Sequence, residues 1–74
     1  MVYDHEARGL ESALTDVQHK YGEIISSSMH VHLSERDCLE AIALRGEAEK
    51  IRKLAEELGK KKGVKQTRLT IVSQ

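Results

Sequence analysis

Residues 24–44 read IISSSMHVHLSERDCLEAIAL, and this stretch decides the fold. Ile24 to Leu33 is predicted to be a strand, because apolar and polar residues alternate through its second half. A polar cluster follows at residues 34–37, and the apolar run from Cys38 to Leu44 predicts a second strand. The two strands are therefore expected to form an antiparallel hairpin.

The length of the loop fixes which residues face each other. A five-residue loop from Leu33 to Asp37 would pair His32 with Cys38 and His30 with Glu40, so that all four side chains share one face. A four-residue loop would put Cys38 on the opposite face. The five-residue loop separates the aliphatic side chains better, and we favour it.

Helical periodicity flanks the hairpin on both sides. Apolar residues recur every three or four positions from Asp4 to Tyr21 and again from Glu47 to about Leu58. Residues 1–3 and 64–72 complete the pattern as short strands. The order strand, helix, strand, strand, helix, strand predicts an α+β, ferredoxin-like βαββαβ fold, with a four-stranded antiparallel sheet and two helices on one face.

The hairpin also predicts which face the helices cover. Its consistently aliphatic face is expected to carry both helices, which leaves the His and Cys side chains on the open face. The aliphatic face comprises Met29, Val31, Leu33, Leu39, Ala41 and Ala43.

Composition limits the classes of protein to consider. The 74 residues are enough for one domain, residues 1–74, and the 12 basic and 12 acidic side chains cancel. One cysteine excludes an intrachain disulfide, and no apolar run approaches the length of a membrane span. We expect a soluble, cytoplasmic domain with no membrane partner. Because so short a chain buries little surface, we expect it to associate with other copies of itself.

Three side chains on the hairpin are candidate metal ligands. His30 and His32 project to the same face, and the favoured register adds Cys38. His19 points off the apolar stripe of its helix, on a helix expected to cover the other side of the sheet, so a second chain would have to supply it. Imidazole and thiolate donors suit Ni(II), Zn(II), Co(II) or Cu(II), and the sequence does not choose among them.

Two further residues need a role. Glu40, placed across from His30, would accept a hydrogen bond from a ligand imidazole N–H. His5 has no evident partner and is taken as structural. A hydrolytic zinc site would need an open coordination position and a nearby base, and four protein ligands leave no such position, so we do not expect an enzyme.

The same residues resemble the C-terminal domain of the nickel-responsive transcriptional regulators. The likeness rests on Gln18-His19, on Met29-His30-Val31-His32 and on Asp37-Cys38-Leu39-Glu40, with Gly46 eight residues beyond the cysteine. It implies an ACT-like fold, a tetrameric assembly, and planar Ni(II) coordination by His30, His32 and Cys38 together with His19 of a neighbouring subunit.

The resemblance also implies an N-terminal DNA-binding domain, which we do not expect within these residues. Members of the family carry an N-terminal ribbon-helix-helix domain, whereas this sequence starts inside the expected first strand at Met1. We therefore expect an isolated regulatory domain that would reach operator DNA only through that missing part. Zn(II) or Cu(II) could occupy the site in vitro. An ACT-type module that binds an amino acid remains the alternative function.

Overall fold

The computed structural model describes residues 1–71, and its elements follow the predicted order. They are β1 (Val2–Asp4), α1 (Leu10–Lys20), a short 3-10 turn (Gly22–Ile24), β2 (Ile25–His32), β3 (Asp37–Leu44), α2 (Ala48–Gly59) and β4 (Val64–Gln66). The four strands form one sheet in the order β2-β3-β1-β4, with antiparallel neighbours. This arrangement confirms the ferredoxin-like fold.

The hairpin of β2 and β3 has the favoured register. His32 lies opposite Cys38 and His30 lies opposite Glu40. β3 begins one residue earlier than predicted, at Asp37, whose backbone oxygen accepts a hydrogen bond from the Leu33 amide at 2.9 Å. The prediction that both imidazoles, the thiol and the carboxylate share one face of the hairpin is therefore confirmed.

The predicted position of the helices, however, is wrong. Cys38 and Glu40 are buried, with exposures of 2% and 3%, whereas Met29 and Leu33 are 60% and 54% exposed. The helices thus cover the face that carries the candidate ligands. The reason is that both faces of β3 are apolar, and its Cys38 face continues onto Tyr3 of β1. The buried core comprises Tyr3, Leu10, Leu14, Val17, Ile24, Cys38, Ile51, Leu54 and Leu58.

The first helix begins six residues later than predicted, because Asp4 belongs to β1 and to the turn after it. The Asp4 carboxylate accepts hydrogen bonds from the Glu6 amide at 2.9 Å and from the Arg36 guanidinium at 2.8 Å. Gly9 then adopts a φ of 74°, a conformation that favours glycine, immediately before α1 starts at Leu10.

The last strand is shorter than predicted. It ends at Gln66, which pairs with Val2, and residues 67–71 form no regular structure. A strand needs a neighbour to satisfy its backbone groups, and β1 begins only at Val2, so the chain beyond Gln66 has no strand to pair with. The remaining predicted position, Val72, lies outside the described residues.

No helix within residues 1–71 is both long enough and apolar enough to cross a membrane.

Candidate metal centre

Two rows of side chains cross the sheet at the hairpin. In one row Cys38 of β3 lies between Tyr3 of β1 and His32 of β2. In the other row Glu40 of β3 lies between Met1 and His30, because the Met1 and Glu40 backbones exchange hydrogen bonds of 2.9 and 2.8 Å. The register therefore places two imidazoles, a thiol and a carboxylate on the same side of the sheet, the side that the helices cover.

The Cys38 thiol lies in the core, at the side of the Tyr3 ring. It is a free cysteine, and it lies directly opposite Tyr3 in the ladder of β1 and β3. Burial raises the pKa of Tyr3 to about 12, and the nearby charges of Cys38, Glu11 and Glu40 add to this rise. Tyr3 therefore stays protonated and neutral at physiological pH.

The Glu40 carboxylate is buried but has polar neighbours. The Gln18 amide on α1 donates to both of its oxygens, at 3.3 and 3.2 Å. Nε2 of His30 lies 3.6 Å from Oε2, and the His30 side chain remains 52% exposed. These groups line a cavity of about 90 Å³ together with Tyr3 and Thr15. Glu40 thus lies between Gln18 of α1 and His30 of β2 and contacts both.

His5 has the partners that the sequence did not reveal. Its ring meets the ring of His32 edge to face, with centroids 5.5 Å apart, and its Nδ1 lies 2.5 Å from Oε1 of Glu11. The sequence suggests no role for His5, because the helical pattern predicts it in the first turn of a helix. The position of His5 just after β1 is a signal of this contact. Tyr3 of β1 lies opposite Cys38, and Cys38 in turn lies opposite His32.

His19 stands apart from the other three candidate ligands. It follows Gln18 on α1, and a helical step of about 100° turns it away from the sheet, so it is exposed. In residues 1–71 no three His, Cys, Asp or Glu side chains are placed to hold a metal ion together. Of the two predicted reasons for the separation of His19, the face covered by the helix is wrong, because α1 does cover the Cys38 face. The predicted direction of His19, off the apolar stripe of the helix, is right, since His19 is exposed.

The donor groups present fit a borderline transition metal such as nickel. Two imidazoles and one thiol come from adjacent positions of one hairpin, and both imidazoles are exposed to solvent. Nitrogen and sulfur donors of this kind suit Ni(II), whereas Mg(II) and Ca(II) prefer oxygen. The fold and these side chains define a class, namely ferredoxin-like domains with two histidines and a cysteine on one face of the β2–β3 hairpin.

Comparison with known proteins identifies the family within that class. Residues 1–72 match the family described as the NikR C terminal nickel binding domain, and the chain belongs to it. This is a family of nickel-binding regulatory domains and not of enzymes, as predicted. It gives no support to the alternative of an amino-acid-binding module.

Curated relatives agree with this assignment. A protein of Methanothrix thermoacetophila is 51% identical over 73 residues, covering 99% of this chain and 52% of the relative. One from Methanocella arvoryzae is 49% identical with the same coverage, and one from Dictyoglomus thermophilum is 45% identical over 71 residues, covering 96% of this chain and 53% of the relative. All three bear the name "Putative nickel-responsive regulator". The chain spans about half the length of these relatives.

Proposed function

We propose that this chain senses Ni(II) at a boundary between two subunits of a homo-tetramer. His30, His32 and Cys38 of one chain and His19 of its neighbour would hold the metal, and Glu40 would accept a hydrogen bond from the N–H of a ligand imidazole. The observation that carries the proposal is the cross-strand pairing of His32 with Cys38, with His30 two residues away on the same face.

The position of His19 supports a site between subunits. Within one chain its neighbour Gln18 is the residue that reaches the sheet, through Glu40, while His19 faces solvent. Three donors from one hairpin leave an imidazole still to be supplied for a four-ligand site. A second subunit placed against the hairpin supplies it without any change in the fold of either chain.

The outer face of the hairpin supports assembly. Met29, Val31 and Leu33 are 60%, 39% and 54% exposed, and they line the side of the sheet opposite the helices. Exposed apolar side chains grouped on one strand are typical of a protein–protein contact. A second copy that covers this face would bury surface that a domain of this size leaves in water.

Metal binding between subunits provides a route to regulation. Bound nickel stabilises whichever subunit arrangement brings His19 to the other three ligands, and it does so only by its difference in affinity between arrangements. In a full-length regulator, a ribbon-helix-helix domain that precedes this one would contact operator DNA in the favoured arrangement. The metal contributes the link between two chains, and the hairpin contributes the donors.

Mixing two defective chains tests the shared site. A His19→Ala chain and a His32→Ala chain should each lose tight nickel binding. When the two are refolded together in equal amounts, about one quarter of the wild-type nickel should return, because mixed pairs with a symmetric interface contain one complete and one doubly defective site. Ser12→Ala on the exposed face of α1 is the matched control for His19→Ala.

The outcome distinguishes a shared site from one within a chain. Native mass spectrometry should first establish that mixed assemblies form. If they form and bind no more nickel than the separate variants, the ligands do not come from two subunits. If His19→Ala alone binds as tightly as the Ser12→Ala control, His19 is not a ligand.

A further inference from the structure

Gln18 is the residue through which α1 bonds the sheet. Its Nε2 donates to both carboxylate oxygens of Glu40 on β3, at 3.3 and 3.2 Å, and Nε2 of His30 lies 3.6 Å from Oε2 of the same carboxylate. Gln18 is half-buried and Glu40 is buried. In the part of the chain that the structure describes, no other hydrogen bond between side chains joins α1 to a strand.

His19, the next residue along α1, points in a different direction. A helical step of about 100° separates the two side chains, so the helix presents an amide to its own sheet and an imidazole to solvent. Both residues lie in the last turn of α1, where the Tyr21 amide donates to the backbone oxygens of Val17 and Gln18. Because this turn is closed by backbone hydrogen bonds, whatever holds Gln18 also fixes the position of His19.

In the shared-site arrangement these two neighbouring residues serve different nickel ions. Gln18 supports Glu40 and, through it, His30 of its own chain, whereas His19 completes the site of the neighbouring chain. A symmetric boundary between two subunits contains two such sites. Each α1 therefore connects the site on its own sheet to the site on the sheet of the other subunit.

We propose that Gln18 is a positioning residue that couples the two nickel sites of one subunit boundary. This inference rests on the proposed function, because it requires His19 to cross the boundary. Nickel bound to His30 makes the remaining ring N–H a stronger donor and so strengthens its hydrogen bond to Glu40. Glu40 then holds Gln18 more firmly, and His19 of the same chain is kept in place for the second ion.

The coupling makes the second ion bind more tightly than the first. Orienting α1 costs free energy, and the first ion already orients the helix that supplies an imidazole to the second site. Two sites coupled by about tenfold in affinity give a Hill coefficient of about 1.5, against 1 for independent sites. The Hill coefficient does not depend on the mean affinity, so a variant that is merely weaker or less stable does not lower it.

Nickel titration at buffered concentrations of the free ion tests the coupling. The wild type should give a Hill coefficient of about 1.5, and Gln18→Ala should give about 1. In this variant Glu40 keeps its contact with His30 but no longer holds α1. Gln66→Ala makes the same substitution at an exposed position on β4 and should keep the wild-type coefficient.

Exchanging the two side chains separates coupling from a general structural effect. Gln18→Glu alone places a second carboxylate against Glu40, so it should also bring the Hill coefficient toward 1. Adding Glu40→Gln restores a hydrogen bond between an amide and a carboxylate, with donor and acceptor reversed, and leaves an amide oxygen to accept from His30. The double variant should therefore recover a coefficient above that of Gln18→Glu alone.

Three results would overturn the coupling: a wild-type coefficient of 1, equal coefficients for the wild type and Gln18→Ala, or no recovery in the double variant. The mixed assembly of His19→Ala and His32→Ala chains decides separately whether the site is shared. If nickel binding returns there while Gln18→Ala titrates like the wild type, the site is shared and Gln18 does not couple it. If no nickel binding returns, the proposed function and this inference both fail.

Discussion

His30 and Glu40 face each other across the ladder of β2 and β3, and Nε2 of the imidazole lies 3.6 Å from Oε2 of the carboxylate. The carboxylate is 3% exposed and is held in place by the Gln18 amide. The His30 ring, by contrast, is half exposed. A buried, fixed acceptor beside a solvent-accessible donor ring is the arrangement by which proteins orient metal-binding histidines.

Glu40→Gln should weaken nickel binding about 10- to 100-fold, because the neutral amide is a poorer acceptor for a ligand imidazole N–H. Isothermal titration calorimetry with Ni(II) measures the change. Glu56→Gln, on the exposed side of α2, is the control and should bind like the wild type. Equal affinities for Glu40→Gln and the control would remove Glu40 from the site.

Cys38→Ala should abolish the thiolate-to-nickel charge-transfer absorption of the loaded protein. The residue is 2% exposed in the core, so the smaller side chain should cost about 1 kcal/mol in the free energy of unfolding while the transition stays cooperative. Urea denaturation of the metal-free protein checks that the fold survives. An unchanged absorption band in a folded variant would contradict the assignment of sulfur to the metal.

Val31→Lys should shift the assembly toward smaller species, because it places a charge in the apolar outer face of the hairpin. Sedimentation velocity on the metal-free and nickel-loaded proteins measures the mass. Gln66→Lys adds the same charge on the edge strand β4, away from the hairpin and from His19, and should leave the mass unchanged. If both variants keep the wild-type mass, the subunits meet elsewhere.

Asp4→Asn should destabilise the protein at neutral pH and have less effect in acid. Hydrogen bonds from the Arg36 guanidinium and from the Glu6 amide hold the pKa of Asp4 below its usual value of 3.8. The unfolded chain therefore binds the proton more readily, so the stabilisation is complete above that value and is lost as the pH falls through the pKa of the folded state.

Denaturant titrations between pH 3 and pH 7 test this pH dependence. The difference in unfolding free energy between the wild type and Asp4→Asn should shrink as the pH falls below about 3.8. Asp16→Asn on the exposed face of α1 is the control. A difference that stays constant with pH would mean that the Asp4 charge contributes nothing to folding.

The sequence predicts the hairpin register correctly because the alternation in β2 and the loop length are local properties. It misplaces the helices because β3 is apolar on both faces, and periodicity does not say which of two apolar faces the chain itself covers. Met29 is apolar but exposed, and Glu40 is polar but buried, so neither follows the rule that apolar side chains are buried and polar ones exposed. Glu40 is tolerated in the core because Gln18, 22 positions away in the chain, bonds it.

The ends of the elements depend on partners that a local pattern does not contain. Thr67 to Ile71 have the alternation of a strand, yet β4 ends at Gln66 where β1 ceases to accompany it. The start of α1 was likewise predicted too early, because the Asp4 carboxylate bonds Arg36 in the distant hairpin loop. The partners of His5 were missed for the same reason.

The burial of Cys38 beside Tyr3 affects how well the thiol resists chemical damage. Thiols are lost to alkylating agents and to peroxide when they are accessible and ionised, and the irreversible sulfinic form would end metal binding by that chain. With 2% of its surface accessible, the Cys38 side chain is shielded from such reagents by its burial. His30 and His32 are exposed to solvent, whereas the cysteine, whose thiol irreversible oxidation would remove, is buried.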